Sequence, residues 1–316
     1  MKKIVVNLSG GLARLVDDFP QAHVVPVETY HDLLLELSDA DGLVTYALTD
    51  NMLDQAEQLK YVASLYAGVD KLPLTRLKDE GIILTTGRGI HIIHMAEYAI
   101  MMMILHARGL DKLLGQQRQR IWAGADENPQ DQIHGKKLGI IGLGAIGQEV
   151  AKKASLMGME VVGVRRSAQA TEYVSEVYGM EDGIEKVVSD CDYVINLLPH
   201  TPETHHLIDK TFFDLLKPSA CMINMGRGDT VNEDDLYQAL VNRQFKRYIS
   251  DVFNEEPLDP ESNLWELDNI VITPHISGPN VRYLDKAYPI VKQNLTAFLE
   301  ENYEEMVNVY SHERGY

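Results

Sequence analysis

The segment Leu138-Gly-Ile-Ile-Gly-Leu-Gly-Ala-Ile-Gly147 constrains this chain more than any other. An apolar run enters Gly142-x-Gly144-x-x-Gly147, and amphipathic Gln148-Glu149-Val150-Ala151 leaves it. Glycine triplets also make ordinary tight turns, so the spacing alone says little. The context says more: a strand that turns through glycine straight into a helix opens a βαβ unit. Such glycines allow a tight turn, close approach of a pyrophosphate to the backbone, and tight helix–strand packing. The free amides at the helix N-terminus then hold anionic phosphates. A dinucleotide held through Gly142, Gly144, Ala145, Ile146 and Gly147 is the expectation.

The rest of the chain keeps the same rhythm of short β-branched runs and amphipathic stretches. Strands are expected at Ile4–Val6, Leu43–Tyr46, Val62–Leu65 and Ile82–Leu84, with a helix over His31–Leu37. A long methionine-rich helix is expected from about His91 to Leu114, then an irregular polar stretch over Gln116–His134. A second series places strands at Leu138–Ile141, Val161–Val164, Tyr193–Leu197, Cys221–Asn224, Tyr248–Val252 and Ile270–Thr273. Helices over Ile146–Leu156 and Glu233–Leu240 fall between them, and a last one covers Tyr283 to Glu300. Six parallel strands make a sheet of dinucleotide-binding size. With 316 residues the chain has room for two domains. No internal repeat is visible.

Charge and cysteine content exclude several classes. The formal charge of −18 disfavours nucleic acid and acidic membrane as partners. The apolar stretch after Lys2-Lys3 is too short for a signal peptide, and Tyr98–Leu105 is too short to span a bilayer. A cytoplasmic protein is expected. Cys191 and Cys221 stand thirty positions apart in apolar runs, which reads as two buried, inert thiols.

In an open parallel sheet, ligands bind beyond the carboxyl ends of the strands. Each end in the second series carries glycine, proline or a charged group. In order these are the glycine turn, Arg165-Arg166-Ser167, Leu198-Pro199-His200, Met225-Gly226-Arg227-Gly228, Asp251 leading to Glu255-Glu256-Pro257, and Thr273-Pro274-His275. That asymmetry places one composite site along one edge. Where an NAD site keeps a carboxylate for the ribose 2′-hydroxyl, this chain has Arg165, followed by Arg166 and Ser167. Guanidinium groups and a hydroxyl suit a 2′-phosphate, so NADP is preferred and NAD remains usable. Arg227 can hold a substrate carboxylate and polarise a neighbouring carbonyl, and a histidine beside a carboxylate can donate a proton. Singly, Arg227 and His275 read equally well as a surface ion-pair partner and a buried, satisfied histidine.

Taken together, the pieces resemble the D-isomer-specific 2-hydroxyacid dehydrogenase family over nearly the whole chain. They are Ala67-Gly68-Val69-Asp70, Ala96-Glu97-Tyr98, Leu138–Gly147, Leu198-Pro-His-Thr-Pro-Glu-Thr204, Ile223-Asn-Met-Gly-Arg-Gly228, Asp251-Val-Phe-Asn-Glu-Glu-Pro-Leu258 and Thr273-Pro-His-Ile276. The resemblance implies two Rossmann-like or flavodoxin-like doubly wound domains with a cleft between them. Residues 1–97 with 281–316 would form a discontinuous substrate domain, and 98–280 the dinucleotide-binding domain. It implies that Arg227 orients a 2-oxo acid, that His275 donates the proton, and that Glu256, just before Pro257, pairs with His275. Pro199, Met225 and Asp251 would contact the cofactor, Met225 and Asp251 at its nicotinamide half. Ala67 and Gly68 would hold the substrate carboxylate. The family is usually dimeric, which would explain the stretch 116–134.

Three departures refine that expectation. Arg165 replaces the acid of NAD-using members, which leans the chain towards NADPH and reduction. No effector domain is expected after the last helix, against the regulated phosphoglycerate dehydrogenases. Glu256 stands where formate dehydrogenases have glutamine. Oxidation of a hydroxy acid such as 3-phosphoglycerate, or nucleotide sensing without catalysis, are the alternatives. His91, His94 and Glu97 share a helix spacing, but packing or hydrogen bonding is favoured over a metal there. Adjacent His205 and His206 are expected to diverge and receive no role.

Overall fold

The run Ile4-Val5-Val6 shows why the chain folds in layers. Val5 packs on one side of its strand and Ile4 and Val6 on the other, all essentially buried. A strand buried on both faces belongs in a parallel sheet covered by helices on each side. The computed structural model, which describes residues 1–7, 12–69 and 71–312, contains two such sheets in two units.

The first unit comprises residues 1–90 and 280–316. Its five parallel strands are β1 (Lys3–Asn7), β2 (His23–Val27), β3 (Gly42–Thr45), β4 (Tyr61–Ser64) and β5 (Ile83–Thr85), in the order β2-β1-β3-β4-β5. That is a flavodoxin-like order. Strand β2 escapes a pattern search because Pro26 interrupts it. Proline cannot donate to a ladder, and β2 tolerates it because it lies at the sheet's edge, pairing only with β1. The helix Tyr283–Leu299 packs Ala287, Val291, Leu295 and Phe298 into this unit's core.

The second unit, residues 91–279, holds a seven-stranded parallel sheet rather than the six strands expected. The strands are β6 (Lys137–Ile141), β7 (Glu160–Val164), β8 (Glu176–Tyr178), β9 (Tyr193–Asn196), β10 (Cys221–Asn224), β11 (Arg247–Ser250) and β12 (Ile270–Ile272). The added β8 is a three-residue edge strand, too short to show a period. The order β12-β11-β10-β9-β6-β7-β8 is the doubly wound dinucleotide-binding order extended by one strand. It reverses between β6 and β9, where such sheets bind ligands.

The long helix expected over 91–114 is two helices, Ile92–Arg108 and Leu110–Arg118. Gly109 adopts φ +55° between them and its amide bonds to the carbonyls of Leu105 and His106. A left-handed glycine ends a helix in this way. Cys191 and Cys221 belong to cores on opposite faces of the sheet, both unpaired. Burial pushes both thiols up to about 12.

Candidate active site at the carboxyl edge of the second sheet

One register row closes the sheet's carboxyl edge. Val164, Ile141, Asn196, Asn224, Ser250 and Ile272 lie side by side across β7, β6, β9, β10, β11 and β12. Arg165, Gly142, Met225, Asp251 and Thr273 each stand one residue beyond that row. The ladder therefore levels loops that are far apart in sequence.

Beyond β6, the amides of Gly142 and Leu143 both bond to the Val164 carbonyl, tying the glycine turn to the Arg165 loop. Gly142 has φ +104°, and a Cβ at Gly147 would sit 2.4 Å from the Gly142 carbonyl oxygen. Neither position accepts a side chain. The helix Ala145–Leu156 starts at Gly144 with no side-chain cap, and space around Gly144 is open. An uncapped helix start beside open space fits a pyrophosphate. Arg165 is half-buried, while Arg166 and Ser167 are exposed. The Thr201 hydroxyl, and less strongly the charge of Arg166, hold Glu203 below the usual carboxylate range.

The β9 and β10 loops hang from a buried amide pair that the sequence reading passed over. Asn196 Nδ2 donates to Asn224 Oδ1 at 2.9 Å and to Thr230 Oγ1 at 2.8 Å. Asn196 Oδ1 accepts from the Leu198 amide, and Asn224 Oδ1 from that of Gly226. The available signal was an asparagine ending each apolar strand, a residue buried only where its hydrogen bonds are met. Pro199 follows exposed, its carbonyl accepting from Thr204 Oγ1. Met225 is 3% exposed and packs within the core, with its amide bonded to the Asn196 carbonyl. Arg227 is half-buried, and its Nη1 donates to the Gly226 carbonyl at 2.8 Å.

His275 Nδ1 lies 2.7 Å from Glu256 Oε2. The carboxylate only accepts, so Nδ1 carries the hydrogen and Nε2 is the outer nitrogen. Glu256 Oε1 is fixed by the Phe253 amide at 3.0 Å, and Glu233 Oε1 holds the Asn254 amide at 2.8 Å. Burial, then the charges of Asp229, Asp234 and Glu256, push Glu233 above the usual carboxylate range despite that bond. His275 has φ +51°, a conformation that costs a non-glycine residue about 1 kcal/mol or more. Asp251, 1% exposed, sits beneath it. Its Oδ1 accepts from the Ile276 amide at 2.9 Å and Thr273 Oγ1 at 2.6 Å, and its Oδ2 from the Ser277 amide at 2.8 Å.

Ala67 and Gly68 lie in the first unit, half-buried in the bend after β4; Asp70 of the same segment lies outside the described residues. His91 Nδ1 and His94 Nε2 both face the Gly278 carbonyl, at 3.0 and 2.6 Å, and Glu97 is exposed. The expected divergence of His205 and His206 is incorrect. Their rings stack at 4.0 Å and 20°, and His200 lies 5.3 Å from His205. His206 has φ +51°, which turns neighbouring side chains that would otherwise splay onto one side.

Residues 100–277 match the family model described as D-isomer specific 2-hydroxyacid dehydrogenase, NAD binding domain. D-3-phosphoglycerate dehydrogenase of Methanocaldococcus jannaschii is 30% identical over all of this chain, which spans 62% of that relative's length. A D-isomer specific 2-hydroxyacid dehydrogenase family protein from Aeromonas salmonicida superposes with a TM-score of 0.87 at 30% identity, covering 98% of this chain and 99% of that one. An NADPH-dependent glyoxylate/hydroxypyruvate reductase from Sinorhizobium meliloti, solved with NADP and sulfate, superposes with a TM-score of 0.84 at 26% identity, covering both chains fully.

Proposed function

Given that the chain belongs to the D-isomer-specific 2-hydroxyacid dehydrogenase family of NAD(P)-dependent oxidoreductases, we propose that it reduces a 2-oxo acid to the D-2-hydroxy acid, preferring NADPH over NADH. The His275–Glu256 pair carries this reading. A half-exposed imidazole with Nδ1 committed to a carboxylate keeps Nε2 for proton transfer, at the edge where the fold binds ligands. Nε2 delivers its proton to the carbonyl oxygen of the substrate, and Glu256 stabilises the imidazolium before that transfer. Arg227 pairs with the substrate carboxylate and polarises the carbonyl. The family resemblance also assigns the Ala67–Gly68 backbone, in the first unit, to the substrate carboxylate. NADPH, when bound, supplies the hydride that reaches C2.

Gly142, Gly144, Ala145, Ile146 and Gly147 hold the pyrophosphate, and Arg165, Arg166 and Ser167 the 2′-phosphate. Pro199, Met225 and Asp251 line the cofactor's path, Met225 through its backbone. The NADP bound to the similar reductase from Sinorhizobium meliloti supports the coenzyme assignment. The unit of residues 91–279 acts as the dinucleotide domain, and that of residues 1–90 with 280–316 as the substrate domain. A homodimer in the cytoplasm completes the reading; it binds neither nucleic acid nor membrane, and no helix among the described residues is long and apolar enough to cross one.

The test is oxidation of NADPH and NADH by purified protein with glyoxylate, hydroxypyruvate and phenylpyruvate. Oxidation of 3-phosphoglycerate is the reverse arm, included because of the Methanocaldococcus jannaschii relative. Turnover with an NADPH advantage is expected. Turnover only of 3-phosphoglycerate overturns the substrate class, and coenzyme binding without turnover in any arm favours a nucleotide sensor.

A further inference from the structure

We infer that Tyr98 is a positioning residue for His275, acting through Thr273 and Asp251; the inference rests on reading His275 as the proton donor. Tyr98 sits in the first turns of the helix Ile92–Arg108, 8% exposed, its ring within the core of the second unit. Its phenol oxygen lies 2.5 Å from Thr273 Oγ1, which in turn lies 2.6 Å from Asp251 Oδ1.

The proton positions along this chain follow from its end. A carboxylate only accepts, so the single hydroxyl hydrogen of Thr273 points to Asp251. Thr273 Oγ1 can then only accept from Tyr98. Burial raises the phenol above the usual tyrosine range, so Tyr98 remains a donor. The result is a one-way chain, Tyr98 to Thr273 to Asp251, in which each bond polarises the next.

The far end of the chain meets the turn that carries His275. Asp251 accepts the amides of Ile276 and Ser277, and the His275 amide bonds to the Thr273 carbonyl at 3.1 Å. These bonds hold His275 at φ +51°, a conformation its own residue type opposes. Removing the phenol hydroxyl leaves Thr273 Oγ1 without its donor and weakens its grip on Asp251. The loss falls on the turn, and through the turn on where Nε2 points.

Tyr98→Phe keeps the ring in the core, and Thr273→Val is a second variant of similar shape. Amide hydrogen exchange at Ile276 and Ser277 is compared with exchange at Ile140 and Val194, deep in the same sheet. Tyr98→Phe is expected to speed the first pair about tenfold and leave the second pair unchanged. In the reductase assay kcat should fall about tenfold, with KM and the NADPH Kd within twofold. The double variant should be no worse than Thr273→Val alone, since both changes cut one chain. Unchanged exchange at Ile276 and Ser277, a uniform rise across the sheet, or additive effects in the double variant would each overturn the inference. A wild-type protein that turns over no 2-oxo acid sinks the reductase reading instead, and the exchange comparison still decides the linkage.

Discussion

Glu256 and His275 meet at 2.7 Å although both lie in loops, nineteen positions apart. Each is held by its own loop: Glu256 through the Phe253 amide, and His275 through a turn whose amides end on Asp251. The pair is therefore preorganised, which a proton donor requires.

Replacing His275 with Ala should lower kcat by roughly 10²–10⁴-fold, the range for a lost acid–base group, while NADPH affinity stays within twofold. Glu256→Gln should cost less, because the amide still fills the space but no longer stabilises an imidazolium. Stopped-flow hydride transfer with coenzyme titration by fluorescence measures both. Unimpaired turnover by His275→Ala would remove it from the proton-donor role.

Arg227→Lys keeps the charge and discards the fork. Losing bidentate recognition of a carboxylate should reduce kcat/KM by about two orders of magnitude or more. Steady-state kinetics on the best 2-oxo acid decides this, and a loss under threefold would argue against substrate contact.

Coenzyme choice should follow Arg165 and its neighbours. Arg165→Asp places a carboxylate against the 2′-phosphate and offers it to a 2′-hydroxyl instead. The ratio of kcat/KM for NADPH over NADH should drop at least tenfold, by about 1.4 kcal/mol. An unchanged ratio would mean that the loop after β7 does not read the ribose.

Gly142→Ala imposes a side chain at φ +104°. Its cost should be about 1–3 kcal/mol, with weakened binding of either coenzyme. Thermal melts with and without coenzyme separate the two effects. A fully stable variant that binds normally would contradict the turn geometry.

His106 gives the acid limb of stability. Burial first, then the charges of Lys246 and Arg247, lower it to about 4. The unfolded chain takes up a proton near 6.5 that the folded one refuses, so stability is full above that pH and falls as pH drops towards 4. Between pH 7 and pH 5, His106→Gln should lose roughly 2–4 °C less in Tm than wild type, the effect of about 1 kcal/mol in a unit of this size. Parallel Tm–pH curves would exclude His106 as the cause.

The two sheets were legible in the sequence because strands buried on both faces must be apolar throughout, and Val161–Val164 and Ile223 carry that signal without context. The edge strands β2 and β8 were not legible. An edge strand answers to one neighbour only, so it tolerates Pro26 or shrinks to three residues. Arg227, Glu256 and His275 could be picked out because each follows a strand end, where a parallel sheet collects its chemistry. The local pattern alone thus determined the layered α/β class, the glycine turn and the edge along which to look.

Only the tertiary structure decided how these residues are held. The stacking of His205 on His206 depends on one left-handed φ. The Asn196–Asn224 pair and the bonds from Tyr98 through Thr273 to Asp251 join residues 28, 175 and 22 positions apart. Sequence patterning reports what a residue's nearest neighbours along the chain demand of it. A hydrogen bond between loops depends on strand register, and register is settled when the whole sheet assembles.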